Sequence, residues 1–276
     1  MASPEIPELV LEAGRASRNY WGDLWRYRDL LGFLTWRDLV VRYKQTIVGV
    51  AWALLQPLLT MTVFVIFGGL LGVPTGGVPR PVMVFAALLP WQFFSSALSA
   101  CSGSLVNSSN LISKVYFPRL IVPLSAILVS LVDFLVAAAF LGLLMKWYHL
   151  MPDVRILTLP FFTLLAFACA LGGGLWLTAL TVRYRDFRIV LPFVLQFGTY
   201  ISPVAFSSDL VPEKWRLLYN LNPLVAVIDG FRWALLGGNH LIHIGGLLLS
   251  VTISTILVWS GVVYFRKTER SFADII

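Results

Sequence analysis

Only a few residues of this chain could carry out acid–base or metal chemistry, and they are scattered. Asp133 is the one acidic residue within a predicted membrane span, where an ionisable side chain is a candidate for ion or proton transfer. A single acid and no visible internal repeat weaken that hypothesis, so we favour a place at a polar helix interface. His240 and His243 are spaced i, i+3, but without a nearby cysteine or carboxylate we expect surface histidines, not metal ligands.

The sequence also lacks the short motifs that hold nucleotides, metals or nucleophiles. It contains no G-x-x-x-x-G-K-[ST], which would cradle phosphates, and no H-E-x-x-H, C-x-x-C or G-x-S-x-G. We therefore expect no catalytic residue, no bound cofactor and no metal site in this chain. Cys101 and Cys169 both fall in apolar stretches and are expected to be small packing residues.

The composition is that of an integral membrane protein. Of 276 residues, 58% are hydrophobic and 13% are charged, against about 25% charged in soluble domains. Long gaps between charged residues each hold the roughly 20 residues that a helix needs to cross a bilayer. The apolar runs are continuous, whereas β-barrel strands alternate in polarity. We predict an all-α integral membrane protein with six transmembrane helices, near residues 47–71, 82–106, 121–145, 157–182, 189–206 and 246–265.

Basic residues predict the orientation of these helices. With six spans and both termini on one side, most arginines and lysines fall on that side, which is therefore the cytoplasmic one. The cytoplasmic parts are then residues 1–46, the segment 107–119, the turn 183–188 and the tail 266–276. Residues 1–12 are acidic and contain proline, unlike a secretory signal. The net charge of +7 fits anionic lipid headgroups, and no nucleic-acid partner is predicted.

Two cytoplasmic segments are amphipathic and too polar to be spans. Tyr20–Lys44 is rich in tryptophan and is predicted to be an interface helix that lies flat in the headgroup layer. In residues 107–119, Asn107 and the two serines after it can cap a short helix, which Pro118 ends. Helical spacing places one apolar face on Leu111, Ile112, Val115 and Tyr116. That face either rests on lipid or enters a groove on another protein, and the residues by themselves leave both open.

The segment 207–245, predicted to face outward, holds two apolar patches. Trp215–Leu221 and Leu224–Leu236 are both too short to cross a bilayer. Asp229 and Arg232 in the second patch are spaced i, i+3 and can pair on one helix face. Re-entrant or interfacial helices fit these patches, which would form either the outer mouth of a pathway or a structured cap.

Three motifs, taken in order, resemble a known family. They are RYKQTIVGVAWALLQPL at 42–58, NLISKVYFPRLIVPLS at 110–125 and NPLVAVIDGFRWALLG at 222–237. Together they resemble the permease subunits of bacterial polysaccharide ABC exporters, a type-2 class that exports O-antigen, capsule or teichoic acid. The resemblance covers the chain from Tyr20 to the C-terminus. It implies two copies of the chain around one pathway in the bacterial inner membrane. It also implies two copies of a separate subunit that binds ATP and magnesium.

The resemblance further implies roles for particular residues. The peptide after the second span would be the coupling helix that docks in a cleft of the ATPase, with contacts at Asn110, Leu111, Ile112, Lys114, Val115, Tyr116, Phe117 and Pro118. The first and fifth spans would line the channel, with possible sugar-stacking aromatics at Trp52, Phe64, Phe67, Phe197 and Tyr200. The outer re-entrant helices would form a gate, with Trp215, Tyr219, Asp229, Arg232 and Trp233.

The sequence thus predicts a homodimeric permease that moves lipid-linked polysaccharide outward while its partner hydrolyses ATP. One alternative is a type-2 ABC exporter for a drug or a small lipid. Another is an ion-coupled secondary carrier centred on Asp133. A membrane-embedded glycosyltransferase is disfavoured, because no cluster of acidic residues at the inner surface could hold the metal of a nucleotide sugar.

Overall fold

The computed structural model describes residues 20–44, 51–237, 243–269 and 272, and within them all regular secondary structure is helical. Two single-turn 3-10 helices, Val154–Thr158 and Ser208–Leu210, interrupt the connections. The α-helices are α1 Tyr20–Arg26, α2 Arg28–Lys44, α3 Ala51–Leu70, α4 Arg80–Asn107, α5 Ser109–Ile112, α6 Ile121–Trp147, α7 Leu159–Arg183, α8 Phe187–Ile201, α9 Glu213–Tyr219, α10 Pro223–Leu236 and α11 Ile244–Thr268. The prediction of an all-α fold is confirmed.

Four segments in the described residues are long and apolar enough to cross a membrane: Arg80–Asn107, Ile121–Trp147, Val154–Arg183 and Ile244–Thr268. They match four of the predicted spans to within about one helical turn. The predicted first and fifth spans correspond to α3 and α8, which are shorter apolar helices. The total of six spans therefore stays a prediction.

Helix α8 ends at Ile201, before the expected end of the fifth span at residue 206. Pro203 follows, and the residue before a proline is disfavoured in the α conformation, so the helix stops there. Ser202 is extended, and the chain then turns through Val204 and Phe206. The predicted fifth span was too long because a continuous apolar sequence does not show where the backbone leaves the helix.

Helix α4 is the centre of the bundle. All of its residues from Val82 to Trp91 are buried, and a helix buried on every side must be surrounded by other helices. Its main neighbours are α6, α7 and α10. Aromatic rings join them: Phe93 lies 5.3 Å from Phe134 in α6, which lies 6.1 Å from Phe231 in α10. These contacts hold α10 against the spans.

Helices α7 and α11 approach each other closely at glycines. A Cβ atom on Gly172 would lie 2.6 Å from the backbone of Leu257, and one on Gly261 would lie 2.5 Å from the carbonyl oxygen of Gly172. Small residues allow this close packing of membrane helices. The buried thiol of Cys169 lies 3.0 Å from the hydroxyl of Ser254 in the same contact. The expected packing role of this cysteine agrees with that position.

Helices α1 and α2 do not simply lie on the surface of the bundle. Leu34 is buried in an apolar cluster with Leu120 and Ile121 at the start of α6. Arg42, two turns later, is paired with Asp133. Since Asp133 lies about 18 Å along α6 from Ile121 at 1.5 Å per residue, α2 runs up along α6. Helix α2 thus packs along α6, where a carboxylate inside the bundle binds one of its arginines. Its flat orientation in the headgroup layer stays a prediction.

Candidate functional site

A compact peptide connects α4 to α6 and is the first candidate site. The backbone N–H of Ser108 still donates to Ser104 and Leu105 in α4, and α5 then forms a single turn, Ser109–Ile112. The chain leaves the helix at Ser113, turns through Lys114 and Val115, and enters α6 after Pro118. A short helix exists here as predicted, but it is shorter than the expected span 107–119.

The apolar side chains of this peptide point to two opposite sides. Ile112 and Phe117 are 8% and 4% exposed and are buried with Leu34 of α2. Val115 and Tyr116 are 51% and 63% exposed. Of the other predicted contact residues, Asn110 and Lys114 are exposed, Leu111 is half-buried, and Pro118 is buried.

The prediction that Leu111, Ile112, Val115 and Tyr116 share one face is therefore wrong. The helical spacing behind it ends at Ile112, because α5 ends there. The turn that follows directs Val115 and Tyr116 outward, while Ile112 and Phe117 hold the peptide to the protein's own core. The peptide thus presents a small exposed surface on a fixed base.

A polar junction ties this peptide to the end of α11. The backbone N–H of Arg119 donates to Oε1 of Glu269 at 2.9 Å, and the Arg119 guanidinium donates to the Glu269 carbonyl. Tyr20 at the start of α1 is half-buried beside the same carboxylate, and the Arg266 guanidinium lies 4.5 Å from the Tyr20 ring centre. Burial raises the pKa of Glu269 even though Arg119 and Arg266 favour its charged form. Three segments that are distant in sequence therefore meet at the base of the peptide.

The outer helices are organised around a buried arginine. Arg232 of α10 is 1% exposed, and its Nη1 and Nη2 donate to the carbonyls of Phe206 and Val204 at 2.7 and 2.9 Å. These carbonyls belong to the turn after α8, so the guanidinium fixes α10 to that turn. Burial lowers the pKa of Arg232 to about 10, which leaves it charged at neutral pH.

Asp229 has a different partner from the expected one. Its carboxylate accepts a hydrogen bond of 2.5 Å from the Ser208 hydroxyl. Among the ion pairs of the described residues, none joins Asp229 to Arg232, so the predicted i, i+3 pair is not formed. Burial raises the pKa of Asp229, while Ser208 and the charge of Arg232 act in the opposite direction. The Arg232 guanidinium donates to the two carbonyls instead.

The other predicted outer residues surround this cluster. Tyr219 of α9 is half-buried, with its ring 6.5 Å from that of Phe206. Trp215 is exposed on the same helix. Trp233 is half-buried and stacks under the Arg155 guanidinium at 5.1 Å. Asn222 caps α10 by accepting from the N–H of Leu224, and the proline after it occupies the first helical position, which explains the Asn-Pro of the third motif.

Asp133 is paired inside the bundle. Its Oδ2 lies 2.6 Å from Nη1 of Arg42, and its Oδ1 accepts a hydrogen bond from the Tyr43 hydroxyl. Gln56 of α3 and Gln92 of α4 line the same small cavity. A carboxylate held by two partners fits the polar helix interface that we favoured over ion transfer.

The predicted channel aromatics lie on α3 and α8. Phe64 and Tyr200 contact each other, with ring centres 6.3 Å apart, and Phe67 and Phe197 are exposed. Trp52 is part of α3, but its side chain lies outside the described residues. The structure therefore brings one predicted pair together, and three of the rings, those of Phe67, Phe197 and Tyr200, are exposed on the single chain.

Comparison with known proteins places these features in a family. The chain is 27% identical over 257 residues to the O-antigen export system permease protein RfbA of Myxococcus xanthus, which covers 92% of this chain and 98% of that protein. It is 29% identical over 222 residues to the inner membrane transport permease YadH of Escherichia coli strain K12, covering 75% and 86%. It is 25% identical over 210 residues to the polysialic acid transport protein KpsM of Escherichia coli, covering 73% and 79%.

The model of the family described as ABC-2 type transporter matches residues 29–236, most of the chain. This protein belongs to the ABC-2 type transporter family. The resemblance predicted from three motifs is thereby confirmed. As an ABC-2 permease, the chain is a multi-pass membrane transport subunit and not itself an enzyme. Permeases of this family normally work with an ATP-binding partner.

The sequence analysis of this ABC-2 permease missed two long-range contacts. Arg42 and Tyr43 were not connected to Asp133, nor Arg119 to Glu269, because each pair is far apart in the chain. An arginine just before the first apolar run and a lone aspartate within the third were the available signals. Their opposite charges could have suggested that Arg42 pairs with Asp133.

Within the part of the chain that the structure describes, no group of three or more histidine, cysteine or acidic side chains could hold a metal ion. His243 lies next to the Asp229 cluster, while His240 lies outside the described residues.

Proposed function

We propose that this ABC-2 permease exports a lipid-linked polysaccharide from the cytoplasmic side across the inner membrane. The observation that carries this proposal is the similarity to RfbA, which extends over nearly the whole of both chains. KpsM, a second relative whose name specifies a glycan, supports the same substrate class. ATP hydrolysis, with its magnesium, belongs to the separate subunit, and this chain supplies the pathway.

Two copies of the chain form that pathway in the proposal. Phe67 of α3 and Phe197 of α8 lie on faces whose apolar side chains are exposed in the single chain. Large exposed apolar faces mark either lipid contact or contact with another protein. A second copy that covers part of these faces would place the aromatic rings along a channel, where they can stack against sugar rings.

The peptide between α4 and α6 is the proposed docking site for the ATP-binding subunit. Val115 and Tyr116 supply the exposed apolar surface, and the charged and polar Lys114 and Asn110 flank it. Ile112 and Phe117 face the opposite way and connect the peptide to the bundle. A push from the ATPase on Val115 and Tyr116 would therefore pass to α2, α4 and α6 through the packed side chains beneath.

The outer region is the proposed gate. In this proposal both termini are cytoplasmic and residues 207–245 face outward, as the distribution of basic residues supports. Arg232 fixes α10 to the turn after α8. Movement of α8 in the channel wall would therefore carry α10 with it. Trp215 and Tyr219 of α9 lie at the edge of this unit and would be displaced when the gate opens.

The test is co-purification with the ATP-binding protein encoded beside this gene. The variant Val115→Asp with Tyr116→Asp is compared with a matched control, Leu217→Asp with Leu218→Asp, which changes two exposed apolar residues of α9 on the proposed opposite side. Membrane insertion and dimer formation are measured first for both variants, and the ATPase is assayed only in variants that retain both. We expect only the first variant to lose the ATPase. Retention of the ATPase by that variant would refute the docking site.

Substrate class needs a second measurement, because YadH is described only as an inner membrane transport permease. The complex is reconstituted in vesicles, and its ATPase rate is measured with a purified lipid-linked glycan and with the same lipid without sugar. Stimulation only by the glycan supports polysaccharide export. Equal stimulation by the bare lipid would favour an exporter of small lipids.

A further inference from the structure

An apolar groove runs between α7 and α11, and none of its lining residues belongs to the docking peptide or to the outer gate. Its volume is about 790 Å³. Phe161 and Leu164 line it near the start of α7, and Val251 lines it near the start of α11. Trp21 of α1 and Arg266 close its other end. The groove therefore connects the two ends of the bundle along one pair of helices.

The middle of the groove is apolar apart from the indole N–H of Trp259 and two hydroxyl groups. Two hydroxyl groups line it, but Ser254 donates to the carbonyl of Ser250 at 2.6 Å and Thr255 donates to that of Val251 at 2.8 Å. Serine and threonine hydroxyls bonded to their own helix are satisfied within it. An aliphatic chain, which needs no polar partners, therefore fits this part of the groove.

One end of the groove carries a positive charge. No carboxylate in the described residues forms an ion pair with Arg266, whose guanidinium lies over the Tyr20 ring. The nearby Glu269 carboxylate accepts instead from the N–H of Arg119. Trp21 is exposed at the same end, and tryptophan prefers the boundary between headgroups and acyl chains. This end is suited to an anionic headgroup.

The length of the groove fits an acyl chain. From Val251 to Arg266 the helix rises about 22 Å at 1.5 Å per residue. The hydrocarbon core of a bilayer is about 30 Å thick. A chain that begins at Arg266 can thus lie along the groove well into the membrane, with its end between Phe161 and Val251.

We propose that this groove binds one acyl chain of an anionic phospholipid whose phosphate group contacts Arg266. The occupant needs a negative charge at the Arg266 end and a hydrocarbon chain along the rest of the groove. A phospholipid has both. Lys267, which is exposed beside Arg266, adds to the attraction for an anionic headgroup over a zwitterionic one. The bound lipid joins α1 to α11 next to the Glu269 junction, so it stabilises the base of the docking peptide. If the proposed orientation is right, the lipid comes from the cytoplasmic leaflet.

The test measures lipid binding to the full-length purified permease in detergent. Phosphatidylglycerol and phosphatidylcholine with identical acyl chains are added, and native mass spectrometry and the melting temperature are recorded. We expect phosphatidylglycerol to remain bound and to raise the melting temperature more. Arg266→Gln should weaken its binding about fivefold, whereas Arg266→Lys keeps the preference. Equal binding of both lipids, or unchanged phosphatidylglycerol binding in Arg266→Gln, would overturn the proposal.

A groove-filling variant tests the acyl-chain site independently of charge. Ala168→Trp places an indole in the groove, and Ala139→Trp adds the same group to an exposed position of α6 as the matched control. We expect loss of the bound phosphatidylglycerol in the first variant only. If both variants retain it, the lipid does not occupy this groove. None of these outcomes bears on the glycan or the ATPase, so the proposal can fail without affecting the export function.

Discussion

Arg42 and Asp133 form an ion pair, with Nη1 and Oδ2 2.6 Å apart, that joins the end of α2 to the middle of α6. The Tyr43 hydroxyl donates to the other carboxylate oxygen. An acid that looked isolated in the sequence is therefore one member of a three-residue contact between the amphipathic helix and a span.

This pair predicts an unequal response to mutation. Arg42→Gln leaves a largely buried carboxylate without its cation, and hydrogen bonds to charged groups contribute about 1.5–3 kcal/mol, less here because Arg42 is half-exposed. Asp133→Asn keeps hydrogen-bonding atoms for both partners and should cost less. Thermal melting of the purified variants measures the difference. We expect Asp133→Asn to transport its substrate and to require ATP for it. The ion-coupled carrier would be supported if the wild-type protein transports without ATP and Asp133→Asn does not.

The two sides of the docking peptide should separate stability from coupling. Phe117→Ala removes a buried ring from the apolar cluster that contains Leu34, and such changes cost about 3–5 kcal/mol. Tyr116→Ala changes an exposed side chain and should alter stability by about 0.5 kcal/mol or less. We expect Phe117→Ala to lower the melting temperature, and Tyr116→Ala to reduce ATPase binding at an unchanged melting temperature. A large loss of stability in Tyr116→Ala would contradict the assigned orientation.

The buried arginine of the outer cluster should not tolerate lysine. The two nitrogens of the Arg232 guanidinium donate to two different carbonyls, those of Phe206 and Val204. A lysine has a single ammonium nitrogen and cannot reproduce this geometry, so in Arg232→Lys one carbonyl loses its charged donor. We expect a loss of about 2–3 kcal/mol. Arg155→Lys, which keeps its cation near the Trp233 ring, is the control and should melt close to wild type. Equal melting temperatures for both variants would show that the two carbonyl contacts contribute little.

Glu269 should make stability depend on pH. Burial raises its pKa, so the folded state binds a proton more tightly than the unfolded state does. Its contribution to stability is complete below the ordinary glutamate pKa of about 4.3 and is lost as the pH rises through the raised value. Glu269→Gln, which can still accept from Arg119, should make the melting temperature depend less on pH over that range. The pH dependence that remains comes from Asp229, whose pKa is also raised by burial. Glu213→Gln, on exposed α9, should leave the profile as in wild type.

A pair of glycines tests the contact between α7 and α11. Gly172→Ala places a Cβ 2.6 Å from the backbone of Leu257, so the helices must separate, at a cost of about 1–3 kcal/mol. Gly142 of α6 has no atom within 4 Å of an added Cβ. Gly142→Ala should therefore be neutral, or stabilising by up to about 1 kcal/mol through helix propensity. Similar losses of melting temperature in both variants would exclude a specific role of the α7–α11 crossing.

The sequence by itself determined the membrane character, the helical class and the family. Apolar runs long enough to cross a bilayer can be read directly from composition, since each residue adds its own transfer free energy. Runs such as 121–145 therefore predicted α6 nearly to its ends. The short helix after Asn107 was likewise a local signal, because caps and turns depend on neighbouring residues.

Only the tertiary structure decided which side chains meet. Periodicity grouped Ile112 with Val115, but the helix ends between them and they face opposite ways. Asp229 was expected to pair with Arg232 one turn away, yet the arginine binds carbonyls of a turn from elsewhere in the chain. Arg42 and Asp133 come together although the whole of α3 and α4 lies between them in the sequence. In each case the partner is chosen by helix packing, which depends on long-range contacts that no local pattern encodes.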